Sequence, residues 1–237
     1  MARLVWDQAG SRIYETGVSK GVLYPMSSVP GVYSPGVAWN GLSSVSESPT
    51  GAEVTPIYAD NIKYLNLMSV EEFEATIEAY TYPDEFAECD GSAQVEQGLF
   101  ASQQPRKHFG LCYQTKVGND LDPDLGFKLH IIYGALASPT ERAYETVNDS
   151  PEAMTFSWEL STTPVEVENF KPTAHLVIDS RKADADKLAT LLDALYGTNG
   201  VEGGAEPSLP TLLLPNAIAD ILRVPGEAPE GGEGTEG

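Results

Sequence analysis

Alternation with a period of two constrains this chain's fold more than any other feature. Phe73, Ala75, Ile77 and Ala79 alternate with Glu74, Thr76, Glu78 and Tyr80. Phe109, Leu111, Tyr113, Thr115 and Val117 alternate with His108, Gly110, Cys112, Gln114 and Lys116, and Met154, Phe156, Trp158 and Leu160 alternate with Thr155, Ser157, Glu159 and Ser161. Successive strand side chains point to opposite faces, so each run reads as a half-buried strand. Segments 62–68, 127–135 and 173–179 are weaker strands of similar length. Gly, Pro, Asn and Asp turns separate these segments, and at least six strands so arranged predict a mainly β fold, a β-sandwich or barrel.

One flanking α-helix is expected near 184–196. Leu188, Leu191, Leu192 and Leu195 recur at helical spacing, Asp184 and Asp186 sit where the helix dipole favours acids, and Gly197 follows as a stop. A second short helix is expected after Pro215, using Ile218, Ile221 and Leu222. Along the chain the expected division is an N-terminal arm (1–16), a long Gly-, Pro- and Ser-rich loop (17–58), a β-sandwich domain (59–224) and an acidic Gly/Glu tail (225–237). The loop carries Tyr24, Tyr33 and Trp39, which a disordered linker would lack. Either a partner packs against it, or it folds back on its own domain.

A chain of 237 residues can bury a self-sufficient core without disulfide staples. Cys89 and Cys112 form no CxxC and no ligand cluster, so a reduced, cytosol-made protein is expected. The start, Met1 to Asp7, has no apolar core of a secretory signal, and the longest apolar run, Leu129–Ala137, is too short to span a bilayer. The charge is −21, from 35 acids against 14 bases. That field repels nucleic acid at close range and excludes a tight nucleic-acid binder. It fits either plain solubility or a surface that DNA slides past.

No catalytic constellation emerges. His108, His130 and His175 are too scattered along the sequence for a metal cluster and read as ordinary strand residues. Asp120, Asp122 and Asp124 begin like a calcium loop, but Leu125 stands where glycine is needed and Ile131 where the bidentate Glu belongs, so an acidic hairpin turn is expected. Glu71 and Glu72 read as a solvated strand opening. No nucleophile elbow, phosphate loop, dinucleotide fingerprint or zinc-protease motif is present. The expectation is a non-enzyme with no cofactor and no metal.

Several ordered motifs carry a resemblance. They are Trp39-Asn40-Gly41-Leu42, Pro56-Ile57-Tyr58-Ala59-Asp60-Asn61, the run Ile77–Gly91, and Phe109-Gly110-Leu111-Cys112-Tyr113 with Gly118-Asn119-Asp120. Further on come Lys128–Pro139, Asn148-Asp149-Ser150-Pro151-Glu152, Phe156–Pro164 and Lys171–Ser180. Over residues 37–180 the chain resembles the major tail proteins, or tail tube proteins, of long-tailed non-contractile bacteriophages.

The resemblance implies a β-sandwich flanked by a helix, with a long inter-ring loop. It implies six-membered rings, formed by joining sheets and stacked into a hollow tube through which DNA passes during ejection without specific binding. The implied partners are copies of the chain itself and other tail proteins (tape measure, terminator, distal tail), with no membrane. The implied place is the tail of the virion, after synthesis in the host cytoplasm.

On this reading Tyr33, Trp39, Asn40 and Leu42 are candidate inter-ring contacts, and Glu72, Glu74, Glu78 and Glu159 are candidate lumen-facing acids. Two other readings stay open. One is a different virion ring or decoration protein, such as a tail terminator or connector. The other is a carbohydrate-binding β-sandwich using Trp39, Tyr58, Tyr64 and Tyr80 as an aromatic platform.

Overall fold

The computed structural model describes residues 3–144, 146, 149, 153–200 and 206–223. The acidic tail at 225–237 lies outside them, as does most of the 148–152 motif. The fold is mainly β. Its strands are β1 (Tyr14–Pro25), β2 (Val37–Trp39), β3 (Leu42–Glu47), β4 (Val54–Ala59), β5 (Ile62–Met68), β6 (Glu74–Ala79), β7 (Ala93–Glu96), β8 (Leu99–Ala101), β9 (Phe109–Gly118), β10 (Gly126–Pro139), β11 (Phe156–Thr162) and β12 (His175–Asp179). Its helices are α1 (Ala185–Tyr196) and α2 (Pro215–Leu222).

The main sheet runs β2-β1-β9-β10-β11-β6-β3, all antiparallel, with β12 also on β10. Its two end strands, β2 and β3, are joined by only Asn40 and Gly41. Three Cα steps span at most about 11 Å. The two ends of the sheet therefore meet, and the sheet rolls into a barrel. Gly41 makes the corner possible: its φ is +78°, and a Cβ there would lie 2.8 Å from the Thr81 Cγ2.

The strand β10 serves two neighbours along one edge. Lys128–Ile132 pairs with β12, and Ala135–Pro139 pairs with β11. The change-over falls at a bulge between Ile132 and Ala135. Gly134 occupies it at φ +57°, where a Cβ would meet the Thr163 carbonyl oxygen at 2.5 Å.

Two cores lie on the two faces of this sheet. Inside the roll, Leu23, Trp39, Ile77, Phe86, Phe109, Leu111, Ile132, Trp158 and Leu160 pack together. Trp158 is its centre, with Phe86 at 5.0 Å and Trp39 at 5.9 Å between ring centroids, both edge-on. Outside the roll, Tyr24, Cys112, Leu129, Ile131, Tyr133 and Ile178 pack under Leu188, Leu191 and Leu195 of α1 and Ile218 of α2. Burying each of these leucines contributes roughly 1.5–3 kcal/mol.

The helices therefore cover the β1-β9-β10-β12 side only. The Asp184 side chain caps α1 by accepting from the backbone N–H groups of Asp186 and Lys187, both at 3.1 Å. Tyr24 ties the layers together by donating its hydroxyl to the Leu195 carbonyl at 2.6 Å. Pro215 opens α2, where its missing N–H costs nothing.

The segment expected as a loop at 17–58 instead contains most of β1, all of β2 and β3, and the greater part of β4. Its Gly, Ser and Pro residues serve bulges and corners: β1 is bulged twice against β9 between Thr16 and Val22. The Asp120–Asp124 stretch is a tight connection between β9 and β10. There the Asn119 side chain accepts from the N–H groups of Leu121 and Asp122.

Candidate functional site

The uncovered side of the barrel is an acidic wall. On β6, Ala75, Ile77 and Ala79 point into the core, so Glu74, Thr76 and Glu78 point outward. Register carries this face across the sheet: Glu74 stands opposite Ser161, Thr76 opposite Glu159, and Glu78 opposite Ser157. On the other side, Ser44 of β3 donates its hydroxyl to Glu78 at 2.9 Å. Glu72 continues the same parity just before β6, in a bridge with Thr50.

Register thus puts the four candidate acids, Glu72, Glu74, Glu78 and Glu159, which the sequence places on two separate strands, on one face. It is built from carboxylates and hydroxyls, and none of the residues named on it is basic. Among the described residues no helix covers it, and every one of those acids keeps contact with solvent.

A second feature projects from this wall. Among the described residues, strands β4 and β5 pair only with each other, joined by Asp60 and Asn61 at φ 49° and 62°. Two adjacent residues of positive φ are the signature of a tight hairpin turn that matches strand twist. The hairpin is apolar on both faces and buried on neither. Tyr58 is 67% exposed, Tyr64 68% and Met68 71%, with Val54, Ile57, Ile62 and Leu67 also exposed. A lone two-stranded hairpin is marginal in water, and a contiguous exposed apolar surface marks an interaction site.

The proposed contact residues lie elsewhere and need correction. Trp39 is 3% exposed and donates its indole N–H to the Thr81 carbonyl at 3.0 Å, so it anchors the barrel's own core. Leu42 packs against the same core. Tyr33 is half-buried beside the helices, and its hydroxyl accepts from the Gly134 N–H at 3.0 Å. Only Asn40 stands free, at the corner between β2 and β3. The aromatic platform likewise loses Trp39, while Tyr58, Tyr64 and Tyr80 remain exposed. The β4–β5 hairpin carries many of the exposed large apolar side chains, and the β7–β8 hairpin adds Val95, Leu99 and Phe100.

The histidines also depart from expectation. Pairing of β10 with β12 brings His130 and His175 together, with Nδ1 of the first 3.2 Å from Nε2 of the second. Glu47, at the end of β3, places its Oε1 3.2 Å from His130 Nδ1 and 3.7 Å from His175 Nε2. The rings form a column: Tyr113 stacks on His130 at 4.7 Å, His130 on His175 at 5.4 Å, and His175 on Phe73 at 4.5 Å. Tyr113 donates its hydroxyl to Glu47 Oε1 at 2.8 Å. On the far side of His130, Nε2 lies 3.1 Å from the Thr115 hydroxyl and 3.4 Å from Glu15 Oε1. Burial holds the His175 imidazole below its ordinary range; Glu47 opposes that shift and His130 reinforces it. His108 lies apart, just before the start of β9.

Cys89 and Cys112 are separated by the sheet itself. Cys89 sits in the core inside the roll and Cys112 under the helices, both as free thiols. Among the described residues, no helix is long and apolar enough to cross a membrane.

These features define a mainly β barrel protein with helices on one wall, an acidic sheet face on the other, and two hairpins, β4–β5 and the shorter β7–β8, that pair with no other strand among the described residues. No protein-family model matches the chain, and no curated protein matches it. Among solved structures it is similar to a chain of the 6-fold symmetrised cryo-EM baseplate of the anti-feeding prophage. The match has a TM-score of 0.35 and 11% identity, covering 74% of this chain and 97% of that one. A likeness that distant assigns no role.

Proposed function

We propose that the protein is a structural subunit of a bacteriophage tail tube, polymerising with copies of itself as stacked rings around a DNA conduit. The observation that carries this reading is the β4–β5 hairpin. It spends backbone order on two strands whose side chains, Ala59 apart, all stay exposed among the described residues. Such an arm gains its stability when a neighbouring subunit covers Ile57, Tyr58, Tyr64 and Leu65. The motif resemblance over residues 37–180 points the same way. It supplies the six-fold ring, the other tail proteins as partners and the virion as the place of action.

The acidic wall takes the role of the bore. Carboxylates and hydroxyls repel and lubricate a passing polyanion, whereas lysines and arginines would hold it by counterion release. At physiological salt the Debye length is about 8 Å, so the wall acts on DNA only at close approach. Nothing in this role requires a catalytic group or a cofactor.

The test replaces residues 54–68 with a short Gly-Ser turn, cutting above the Thr50–Glu72 bridge that closes the base of the arm. The wild-type protein is expected to form long tubes of uniform width by negative-stain microscopy. The shortened variant is expected to keep its circular dichroism and its thermal transition while forming no tubes. Tubes of undiminished length from the variant overturn the role of the arm. Isolated rings from the wild type, at any concentration, replace the tube with a terminator or connector.

A further inference from the structure

We infer that Glu47, His130 and His175 form a three-ligand site for a divalent transition metal of the zinc class, at the end of the barrel where β3, β10 and β12 converge. The inference stands apart from the tail-tube reading and holds whether or not the chain polymerises.

The donor set comes first. Two imidazoles and one carboxylate are ligands that zinc takes when it leaves a fourth position for water or another donor. Nitrogen donors of this kind disfavour magnesium and calcium, which prefer all-oxygen sites.

The spacing is the second observation. Metal–ligand bonds of about 2.0–2.1 Å in a tetrahedron place neighbouring donor atoms about 3.3–3.4 Å apart. The three donors here form a triangle with edges of 3.2, 3.2 and 3.7 Å. All three ligand atoms lie within 4.8 Å of one another. An ion above this triangle reaches each donor with shifts of a few tenths of an ångström.

The surroundings are the third. A metal-bound histidine is normally oriented by a hydrogen bond from its other ring nitrogen to a carboxylate, a backbone carbonyl or water. His130 offers Nδ1 to the triangle and turns Nε2 toward Thr115 and Glu15. Glu47 is held by the Tyr113 hydroxyl, which occupies one lone pair of Oε1 and leaves another. The stack of Tyr113, His130, His175 and Phe73 fixes the planes of both imidazoles. The ligands also come from separate strands: β3 closes the roll and β12 is otherwise held to the sheet only through β10. A bound ion cross-links the two.

The competing arrangement is a hydrogen-bonded Glu–His–His triad with no ion. Isothermal titration of untagged, chelator-treated protein with Zn2+ separates the two, with Co2+ as the spectroscopic probe. The expected result is one ion per chain, a raised Tm, and the intense visible bands of four-coordinate cobalt. His175→Gln and Glu47→Gln, checked for fold by circular dichroism, are each expected to weaken binding more than about tenfold. Glu15→Gln touches no ligand atom of the triangle and is expected to weaken it about 10- to 100-fold through the orienting contact.

Nitrogen-15 NMR of the wild-type imidazoles needs no variant. Zinc is expected to shift Nδ1 of His130 and Nε2 of His175 and to spare His108. No stoichiometric binding, binding that both ligand variants retain, or zinc shifts at His108 alone overturns the site and leaves the triad.

Discussion

Trp158 donates its indole N–H to Oδ1 of Asp90 at 2.8 Å, inside the aromatic core of the roll. The other carboxylate oxygen of Asp90 accepts from Arg142 at 2.7 Å. A buried carboxylate is costly unless both oxygens are satisfied, and here an indole and a guanidinium satisfy them. The same pair holds the segment after β10 against the barrel. Asp90→Ala is expected to destabilise the fold by about 2–3 kcal/mol, toward the low side for a buried pair because Arg142 retains some solvent. Urea denaturation followed by tryptophan fluorescence measures it. A change of less than about 0.5 kcal/mol, the size of an ordinary surface substitution, would show that the pair is dispensable.

The two thiols give a pH test. Burial pushes both Cys89 and Cys112 up to about 12, against an ordinary value of 9.0. Native protein at pH 8 is therefore expected to react negligibly with a disulfide reagent, while unfolded protein releases two equivalents of thiol. The linkage has a definite sign. Between about 9 and 12 the unfolded chain ionises its thiols and the folded chain keeps its protons, so stability falls as pH rises through that window. Replacing both cysteines with alanine is expected to flatten that part of the profile. Rapid native labelling at pH 8 would contradict the burial of either thiol.

The acidic wall makes a charge prediction. Glu74→Lys with Glu159→Lys adds two cations to neighbouring strands of one solvated face, with expected stability changes within about 0.5 kcal/mol each. Tubes assembled from this variant are expected to retain DNA at low salt and release it as salt rises, because released counterions drive such binding. Wild-type tubes are expected to retain none. Equal retention by both would remove this wall from the bore.

Much of the fold was legible where one strand face is buried and the other is wet. Phe73 to Tyr80 alternates because Ala75, Ile77 and Ala79 meet the core while Glu74 and Glu78 meet water. The helix at 185–196 was legible because its leucines repeat every turn beneath a capped start. β9 was harder to orient: Phe109 to Gln114 are all buried, since one face meets the inner core and the other the helices. Its apparent polar face, with Cys112 and Gln114, is a second interior.

The stretch from 17 to 58 failed for a different reason. Gly, Ser and Pro there build bulges and a two-residue corner, and such residues look the same in sequence whether they punctuate strands or form a loop. Trp39 was misassigned because its partners, Phe86 and Trp158, lie far along the chain. The histidine pair was equally hidden, since 45 residues separate His130 from His175 and only the register of β10 with β12 closes that gap. The outward parity of Glu74 and Glu78, and separately of Glu159, was legible because it is local to each strand; that β6 and β11 are neighbours was not, since only their register shows it.

Gly134 has a mechanical consequence. At that α-carbon a single strand leaves the helix-backed half of the barrel and enters the bare half, with no break in the covalent chain. A pull applied to β11 therefore passes through the ladder of backbone hydrogen bonds to β10, and then along its peptide bonds to the layer beneath the helices, before any side-chain contact has to carry it. The two halves stretch in series, and a chain loaded along that line resists as one spring.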